Sequence, residues 1–461
     1  MKYAHITFSL LSIAFLVGCS QTTSPTPQNV TIPETFHEEG YWKKATPNDT
    51  VARGVWWEMY EDAELNEYMK ALETYNPSIA KYQALYKQAL AVMEGSQASL
   101  FPTLSLAPSA TRAQSSSAGV QKRSTDYKLP LQASWTPDIW GDTRRLVDAY
   151  SLSAEASLND LEAAKLSAQI LLAQNYYQLR NIDLQEAFLQ KTLDAYTKTL
   201  NITQNQYTVG IVTKKDVLSA QSQLKSVEAQ KIDLYYQRQQ YEHAIAALIG
   251  KTPSEFSIAV DTKKTIVLPN IPKSLPSELV ERRPDIAAAE RRMKQTNLQM
   301  GIAQDAWFPT ITLSASTGYE NNALSSLISR PNVIWALGGA ISQSIFDGGA
   351  KEATLKQAQG AYEANIATYR QTVLSAFQQV EDALSTLETL SREAVVQNEA
   401  VELAQQALDF TLYQYQQGIV NYTTVVVAQT SLVTNQISAI NITNKQIQAS
   451  LSLISALGGR F

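Results

Sequence analysis

Apolar residues recur along much of the chain at alternating steps of four and three. From Leu161 to Tyr207 the series runs 161, 165, 168, 172, 175, 179, 182, 186, 189, 193, 196, 200, 203, 207, and ten of these fourteen positions are apolar or Tyr. Lys165, Asn175, Glu186 and Thr203 are the exceptions. The same seam appears at Val373, Phe377, Val380, Leu384 and Leu387. A sustained repeat of 3.5 residues predicts helices packed side by side in coiled-coil fashion. No Pro interrupts 138–252 or 332–461, so each long helix has room for about 60 residues, roughly 90 Å. Gly210 and Gly418 fall where each long helix should turn into a shorter partner, a place that favours Gly. Elsewhere the period is two. Thr103-Leu104-Ser105-Leu106 and Thr310-Ile311-Thr312-Leu313 alternate, as do Leu129, Leu131, Ala133 and Trp135 against Lys128, Gln132, Ser134 and Thr136. Trp335, Leu337 and Ile341 oppose Ala336, Gly338 and Ser342 in the same way. These stretches read as two β-hairpins with strands of about ten residues, the length of a tilted transmembrane β-strand.

The pattern occurs twice. Asn76-Pro77-Ser78-Ile79-Ala80 recurs as Arg283-Pro284-Asp285-Ile286-Ala287, and Phe101-Pro102-Thr103 as Phe308-Pro309-Thr310. Trp140-Gly141 maps onto Asp347-Gly348 at the same spacing of about 207 residues. Tyr207-x-x-Gly210-Ile211-Val212 then recurs as Tyr415-x-x-Gly418-Ile419-Val420, and Val217-x-x-Ala220-Gln221 as Val425-x-x-Ala428-Gln429. Ordered landmarks at one offset indicate a duplication. The expected organisation is a signal peptide at 1–18, an extended tether at 19–57, a first repeat at 58–250, a connector at 251–275 containing Pro269 and Pro272, and a second repeat at 276–461. Each repeat should hold a helix (Asp62–Ser99; Ser277–Asp305), a β-hairpin, a long helix and a shorter one.

The N-terminus adds a compartment. Lys2, the apolar run Ile6–Val17 and small residues before Cys19 describe a secretory signal, too short to span a bilayer. Leu16-Val17-Gly18-Cys19 reads either as a lipoprotein box, with Cys19 acylated, or as a signal with an incidental Cys. Cys19 is the only cysteine and sits where cleavage should fall, which favours acylation. Ser20–Pro33 is rich in Pro, Ser and Thr, as befits a tether.

Composition mainly excludes. One Cys and three His leave little for a metal or haem site. His37 has no ligand partner at useful spacing, and His243 reads as a packing residue of a helix. Lys+Arg 38 against Asp+Glu 43 lacks the basic excess of a nucleic-acid binder. No nucleophile elbow, phosphate loop, dinucleotide fingerprint or H-E-x-x-H occurs, so neither an enzyme nor a cofactor is expected.

Four strands cannot stand alone in a bilayer, because each open edge leaves unpaired backbone groups in hydrocarbon at several kcal/mol apiece. If the hairpins enter a membrane, other copies must close them, and three copies supply twelve strands. The alternative is a soluble β-subdomain on a coiled coil. The tips at Gly210 and Gly418 similarly read either as simple helix stops or as shallow apolar notches that another helical hairpin fills.

Taken together, the residues resemble a known family, the TolC-type outer membrane factors, and within it the NodT-like lipoproteins of efflux pumps. The resemblance is carried by Leu16–Cys19, Trp57-Glu58-Met59-Tyr60-x-Asp62-x-x-Leu65, Glu281-Arg282-Arg283-Pro284-Asp285-Ile286-x-Ala288-Ala289-Glu290, the paired Phe-Pro-Thr, Ile345-Phe346-Asp347-Gly348-Gly349 and the two Gly-centred turns. They span nearly the whole mature chain. The resemblance implies a mixed architecture of long coiled helices plus transmembrane β: a homotrimer whose twelve-stranded barrel lies in the Gram-negative outer membrane and continues as a helical barrel through the periplasm. It implies lipid anchorage at Cys19 and a passive duct serving a periplasmic adaptor protein and an inner-membrane transporter of the resistance–nodulation–division type. An outer membrane duct for type I protein secretion is the alternative. The docking tips map to Val209, Gly210, Ile211, Val212, Gln417, Gly418, Ile419 and Val420. Periplasmic gate residues map to Asp216, Tyr422, Thr423, Thr424 and Val427. Relatives often carry Asp where Val427 stands, so any gate here would close by packing and dewetting rather than by an acidic ring. Cargo and the identity of the adaptor are not encoded.

Overall fold

The structure, a computed structural model, describes residues 54–117, 120–262, 268–269 and 283–459. The signal peptide, Cys19, the tether up to residue 53 with His37, and Pro272, Pro276, Glu281 and Arg282 lie outside the described residues. The tether expected to run extended to 57 instead ends in a short helical turn that buries Trp56 and Trp57.

A 3-10 turn at Trp56–Tyr60 leads into α1 (Ala63–Tyr75) and α2 (Pro77–Ala98). The single helix expected over Asp62–Ser99 is therefore two. Pro77 cannot continue a helix from its predecessor, and Asn76 instead caps the next one, accepting from the Ile79 N–H at 3.0 Å. Strands β1 (Thr103–Leu106), β2 (Ser109–Ser117) and β3 (Val120–Trp135) follow, then the 67-residue α3 (Asp142–Thr208) and the 35-residue α4 (Lys214–Leu248). The second repeat gives α5 (Pro284–Asp305), β4 (Thr310–Asn321), β5 (Val333–Ser342), α6 (Ala350–Gln416, again 67 residues) and α7 (Tyr422–Ala456, again 35). Each long helix spans about 100 Å at 1.5 Å per residue. Gly141 at φ +86° and Gly349 at φ +93° stand at the N-caps of α3 and α6. The equivalent of Gly141 is thus Gly349 rather than Gly348, so the one-residue slip between repeats falls before the helix and not after it.

All strands form one antiparallel sheet in the order β1-β3-β4-β5, with β2 also paired to β3. The expected ten-residue strands need correcting. β3 runs 16 residues, and its partner strand is broken at Ala107–Pro108 into β1 and β2. The break faces Pro130, which has no N–H to donate to the ladder; Pro130 O still accepts from the Ala107 N–H at 3.2 Å. On the other side Pro130 pairs with Gly318, where a Cβ would lie 2.2 Å from Leu129 O and 2.7 Å from Pro130 Cα. Only Gly fits against that backbone.

The helices pack side by side, as the seam predicts. α3 lies against α2, α4, α5 and α7, and α6 against α5 and α7. Leu161, Ala168, Leu172, Leu179, Ile182, Leu189, Tyr196 and Thr203 of the α3 series are buried, whereas Tyr207 at its end is exposed. His243 is exposed rather than packed, because Ile245 and Ala246 take the buried positions of that turn. The main core lies midway along α3. There Trp56, Trp57, Tyr60, Leu65, Met69 and Leu72 pack onto Leu172, Tyr176, Tyr177 and the end of α7 at Leu451 and Ile454. Trp56 and Trp57 meet edge to face at 5.7 Å, and Tyr60 bonds Ser450 at 2.6 Å.

Beside this core sits a buried ionic knot. Arg180 donates to Asp183 at 2.8 Å, to Ala259 O at 2.8 Å and to Glu64. Asp183 also accepts from Arg238 Nε at 2.7 Å, and Arg238 donates to Ile258 O at 2.7 Å. Four charges from α1, α3 and α4 thereby hold the N-terminal segment and the start of the connector against the long helix.

Candidate functional site

Among the described residues, the helix tips and one face of the sheet present exposed apolar side chains on well-defined local structure.

Each tip is built by the same local chemistry. At the end of α3, Gly210 adopts φ +78°, its N–H bonds Tyr207 O at 3.0 Å, and the Ile211 N–H reaches Gln206 O at 2.8 Å. At the end of α6, Gly418 adopts φ +74°, bonds Tyr415 O at 2.9 Å, and Ile419 reaches Gln414 O at 2.9 Å. Both are Schellman motifs, which need a left-handed residue after the cap. The next helices start on different caps. Asp216 accepts from the Thr213 N–H and hydroxyl at 2.9 and 2.7 Å, and Asn421 accepts from the Thr424 N–H at 3.1 Å. A Cβ on either Gly would meet nothing within 4 Å. Val209, Ile211 and Ile419 around them are 71%, 65% and 67% exposed. Gln417 is exposed as well. Val212 and Val420 instead turn inward, onto a cluster of Ala220, Tyr415, Tyr422 and Val425.

The residues expected at the periplasmic gate divide in the same way. Thr423, Thr424 and Val427 are exposed on the first turns of α7. Asp216 is engaged as a helix cap. Tyr422 is buried, its ring edge-on to Tyr415 at 5.6 Å, and Tyr415 shares a 3.1 Å hydrogen bond with Thr203. Burial pushes both phenols up, so each keeps its proton at neutral pH. Sequence reasoning singled out Tyr415 as a repeat landmark but missed its bond to Thr203, an exception in an otherwise apolar seam. A polar residue at a seam position was the available signal.

Antiparallel partners share a face of the sheet. The register therefore sets Leu104, Ala133, Ala315 and Leu337 in one row, Leu106, Leu131, Thr317 and Trp335 in the next, and Leu129, Tyr319 and Val333 above them. Of these, Leu104, Leu106, Leu131, Trp335, Leu337 and Val333 are exposed. The opposite face carries Thr103, Ser134, Ser314 and Gly338, then Ser105, Gln132, Ser316 and Ala336. Exposed aromatic side chains gather where the strands meet the helices: Phe101, Trp135, whose Nε1 donates to Leu100 O at 3.1 Å, and Trp140 stacked on Phe308 at 4.8 Å. An apolar face bordered by aromatic residues, backed by a Ser/Thr/Gln face, is the pattern of a strand between lipid and water. Among the described residues no helix is long and apolar enough to cross a membrane, and no group of His, Cys, Asp and Glu could hold a metal ion.

The sequence profile of the outer membrane efflux protein family matches residues 69–251 and again 275–459. The chain belongs to that family. It is 27% identical over 463 residues to the pyoverdine export outer membrane protein OpmQ of Pseudomonas aeruginosa, covering 98% of this chain and 96% of the relative. It is 29% identical over 394 residues to the toluene efflux pump outer membrane protein TtgI of Pseudomonas putida, covering 83% and 81%. The solved outer-membrane channel OprN superposes with a TM-score of 0.84 at 26% identity, over 94% of this chain and 98% of that one. The expected TolC-type outer membrane factor is therefore the family found.

Proposed function

We propose that the protein is the outer membrane exit duct of a tripartite efflux pump. Three copies close their sheets into a twelve-stranded barrel, and the helices continue it into the periplasm. The observation that carries this reading is the sheet itself: a continuous exposed apolar face on a sheet whose outer strands, β1/β2 and β5, lack a second partner among the described residues. In lipid such edges cost several kcal/mol for each unpaired group, and joining β5 of one copy to β1/β2 of the next satisfies both. Acylation at Cys19 anchors the chain in the membrane. Small molecules, the cargo class in the relatives' names, pass without chemistry by the duct, driven by a transporter of the resistance–nodulation–division type. The tips at Val209–Val212 and Gln417–Val420 receive the adaptor, since open space over each Gly and exposed Val209, Ile211 and Ile419 form an apolar notch. Thr423, Thr424 and Val427 with Tyr422 narrow the periplasmic end by packing, and Asp216 sets the start of α4.

Native mass spectrometry and negative-stain imaging of the detergent-extracted protein test the assembly. The expected result is a trimer forming a hollow rod well over 100 Å long. A compact monomer, or protein released without detergent, overturns the reading. Docking is tested separately: Gly210→Trp with Gly418→Trp should abolish drug resistance while the oligomer remains intact. Unchanged resistance would show that the adaptor binds elsewhere.

A further inference from the structure

The β2–β3 hairpin treats charge differently on its two faces. On the Ser/Gln face, Lys128 pairs with Glu320 at 2.9 Å, and Lys122 and Asp126 lie on that face too. Two cations and two anions thus share that face. On the apolar face the row of Leu129 and Tyr319 is followed by Tyr127, then by Arg112 beside Thr125 and Arg123 beside Gln114. Both arginines are exposed, and Arg123 Nε donates to the neutral Gln114 Oε1 at 2.8 Å. The remaining side chains of this face, from Ala110 to Ser116 and from Gln121 to Tyr127, include no carboxylate. Among the described residues, two guanidiniums with no carboxylate on their face thus stand diagonally across the ladder.

Their height matters. From Trp135 to Tyr127 the apolar face covers eight residues, about 20 Å along the membrane normal for a strand tilted by about 40°. Arg123 lies four residues beyond Tyr127, roughly 10 Å higher, on the side away from the helices. That is where hydrocarbon ends and headgroups begin. We infer that Arg112 and Arg123 bind the phosphate groups of an anionic glycolipid in the outer leaflet. Guanidinium groups match phosphate geometry through paired N–H donors. The apolar rows below would hold the acyl chains, so one ligand satisfies both parts of the face. This inference rests on the proposed function, because it requires the apolar face to meet lipid.

The test uses the full-length, detergent-purified protein and its Arg112→Gln/Arg123→Gln variant, with native mass spectrometry after addition of diphosphorylated lipid A or its dephosphorylated form. The wild type should retain the diphosphorylated lipid on the order of tenfold better than the variant. The two proteins should retain the dephosphorylated lipid equally and weakly. Equal retention of the diphosphorylated lipid by both proteins overturns the inference. So does displacement by millimolar inorganic phosphate, which would mark a site for free anion. The same spectra report the assembled mass, and an intact detergent-dependent oligomer that ignores phosphate rejects the lipid site alone. A protein that needs no detergent rejects the membrane reading itself.

Discussion

The two repeats share one backbone plan but stabilise it with different chemistry. Their helices match in length, 67 residues for α3 and α6 and 35 for α4 and α7. The residue before the Pro that both repeats share, Pro77 and Pro284, reaches across to the last turn of that repeat's short helix. In the first repeat Asn76 Nδ2 donates to Leu248 O at 2.7 Å; in the second Arg283 donates to Ala456 O at 3.0 Å. An amide and a guanidinium satisfy the same kind of orphan carbonyl. At mid-helix the repeats part company. Arg180 and Asp183 are buried in the ionic knot, while their equivalents at the 208-residue offset of the N-cap glycines, Glu388 and Ser391, are exposed. The N-terminal segment and the connector cover the first repeat there, so only that copy had to neutralise buried charge. Duplication preserved the geometry, and the segments laid over it decided the chemistry.

The largest break in this comparison should come from the knot. Arg180→Met takes from Glu64 its guanidinium partner and leaves Asp183 with Arg238 alone, and should cost about 3–5 kcal/mol, read as a lowered melting temperature in detergent. Glu388→Gln at the equivalent site should change stability by no more than about 0.5 kcal/mol. Equal effects would mean that the knot contributes nothing special.

The helix ties should rank next. Arg283→Ala removes a buried donor to Ala456 O and Gln379, with an expected loss of about 2–3 kcal/mol. Asn76→Ala removes a cap and a tie, about 1–2 kcal/mol. Thermal melts of both variants in one detergent rank them, and the reverse order would argue that the amide tie is the stronger.

Acid should separate the repeats further. Burial works to raise the Glu64 carboxyl, but the Arg180 guanidinium and hydrogen bonds from Arg180, Tyr68 and Tyr176 outweigh it and hold Glu64 below its ordinary 4.5. Its contribution is therefore complete above about pH 4.5 and disappears as pH falls through the lower folded value. Glu64→Gln should flatten that part of the stability–pH curve, and an unchanged acid limb would place the sensitivity elsewhere. The smallest effect is expected at the tips: Tyr415→Phe loses the bond to Thr203, about 1 kcal/mol, whereas Tyr207→Phe at the exposed counterpart should be neutral in the same melts.

Much of the architecture was legible because it rests on local rules. The 3.5-residue seam predicted α3 and its buried face, and Gly210 and Gly418 marked both turns, since a Schellman motif needs a residue that tolerates positive φ. The alternation of Leu129, Leu131, Ala133 and Trp135 predicted a two-faced strand. Pro130, however, sits inside that strand. Its effect on β1 and β2 depends on which residues lie opposite, and alternation does not specify the partner. Arg180 with Asp183, and Arg238 with Glu242, are spaced like ordinary surface pairs of a helix. Nothing in that spacing shows that α1 and the connector will bury them. The exposure of His243 and the burial of Tyr422 were hidden for the same reason.

The sequence alone determined the duplication, the presence of one very long helix in each repeat, the glycine turns, the two-faced strands and the candidate lipid anchor at Cys19. Each of these depends on residues within a few turns of one another or on exact repetition. Only the tertiary structure decided which charges are buried, which tip residues remain open, and that the apolar positions of all four chain passes in the sheet align into one face. Those properties depend on contacts between residues as much as 390 positions apart, as in Tyr60 and Ser450, and long-range pairing is set by packing and register rather than by local pattern.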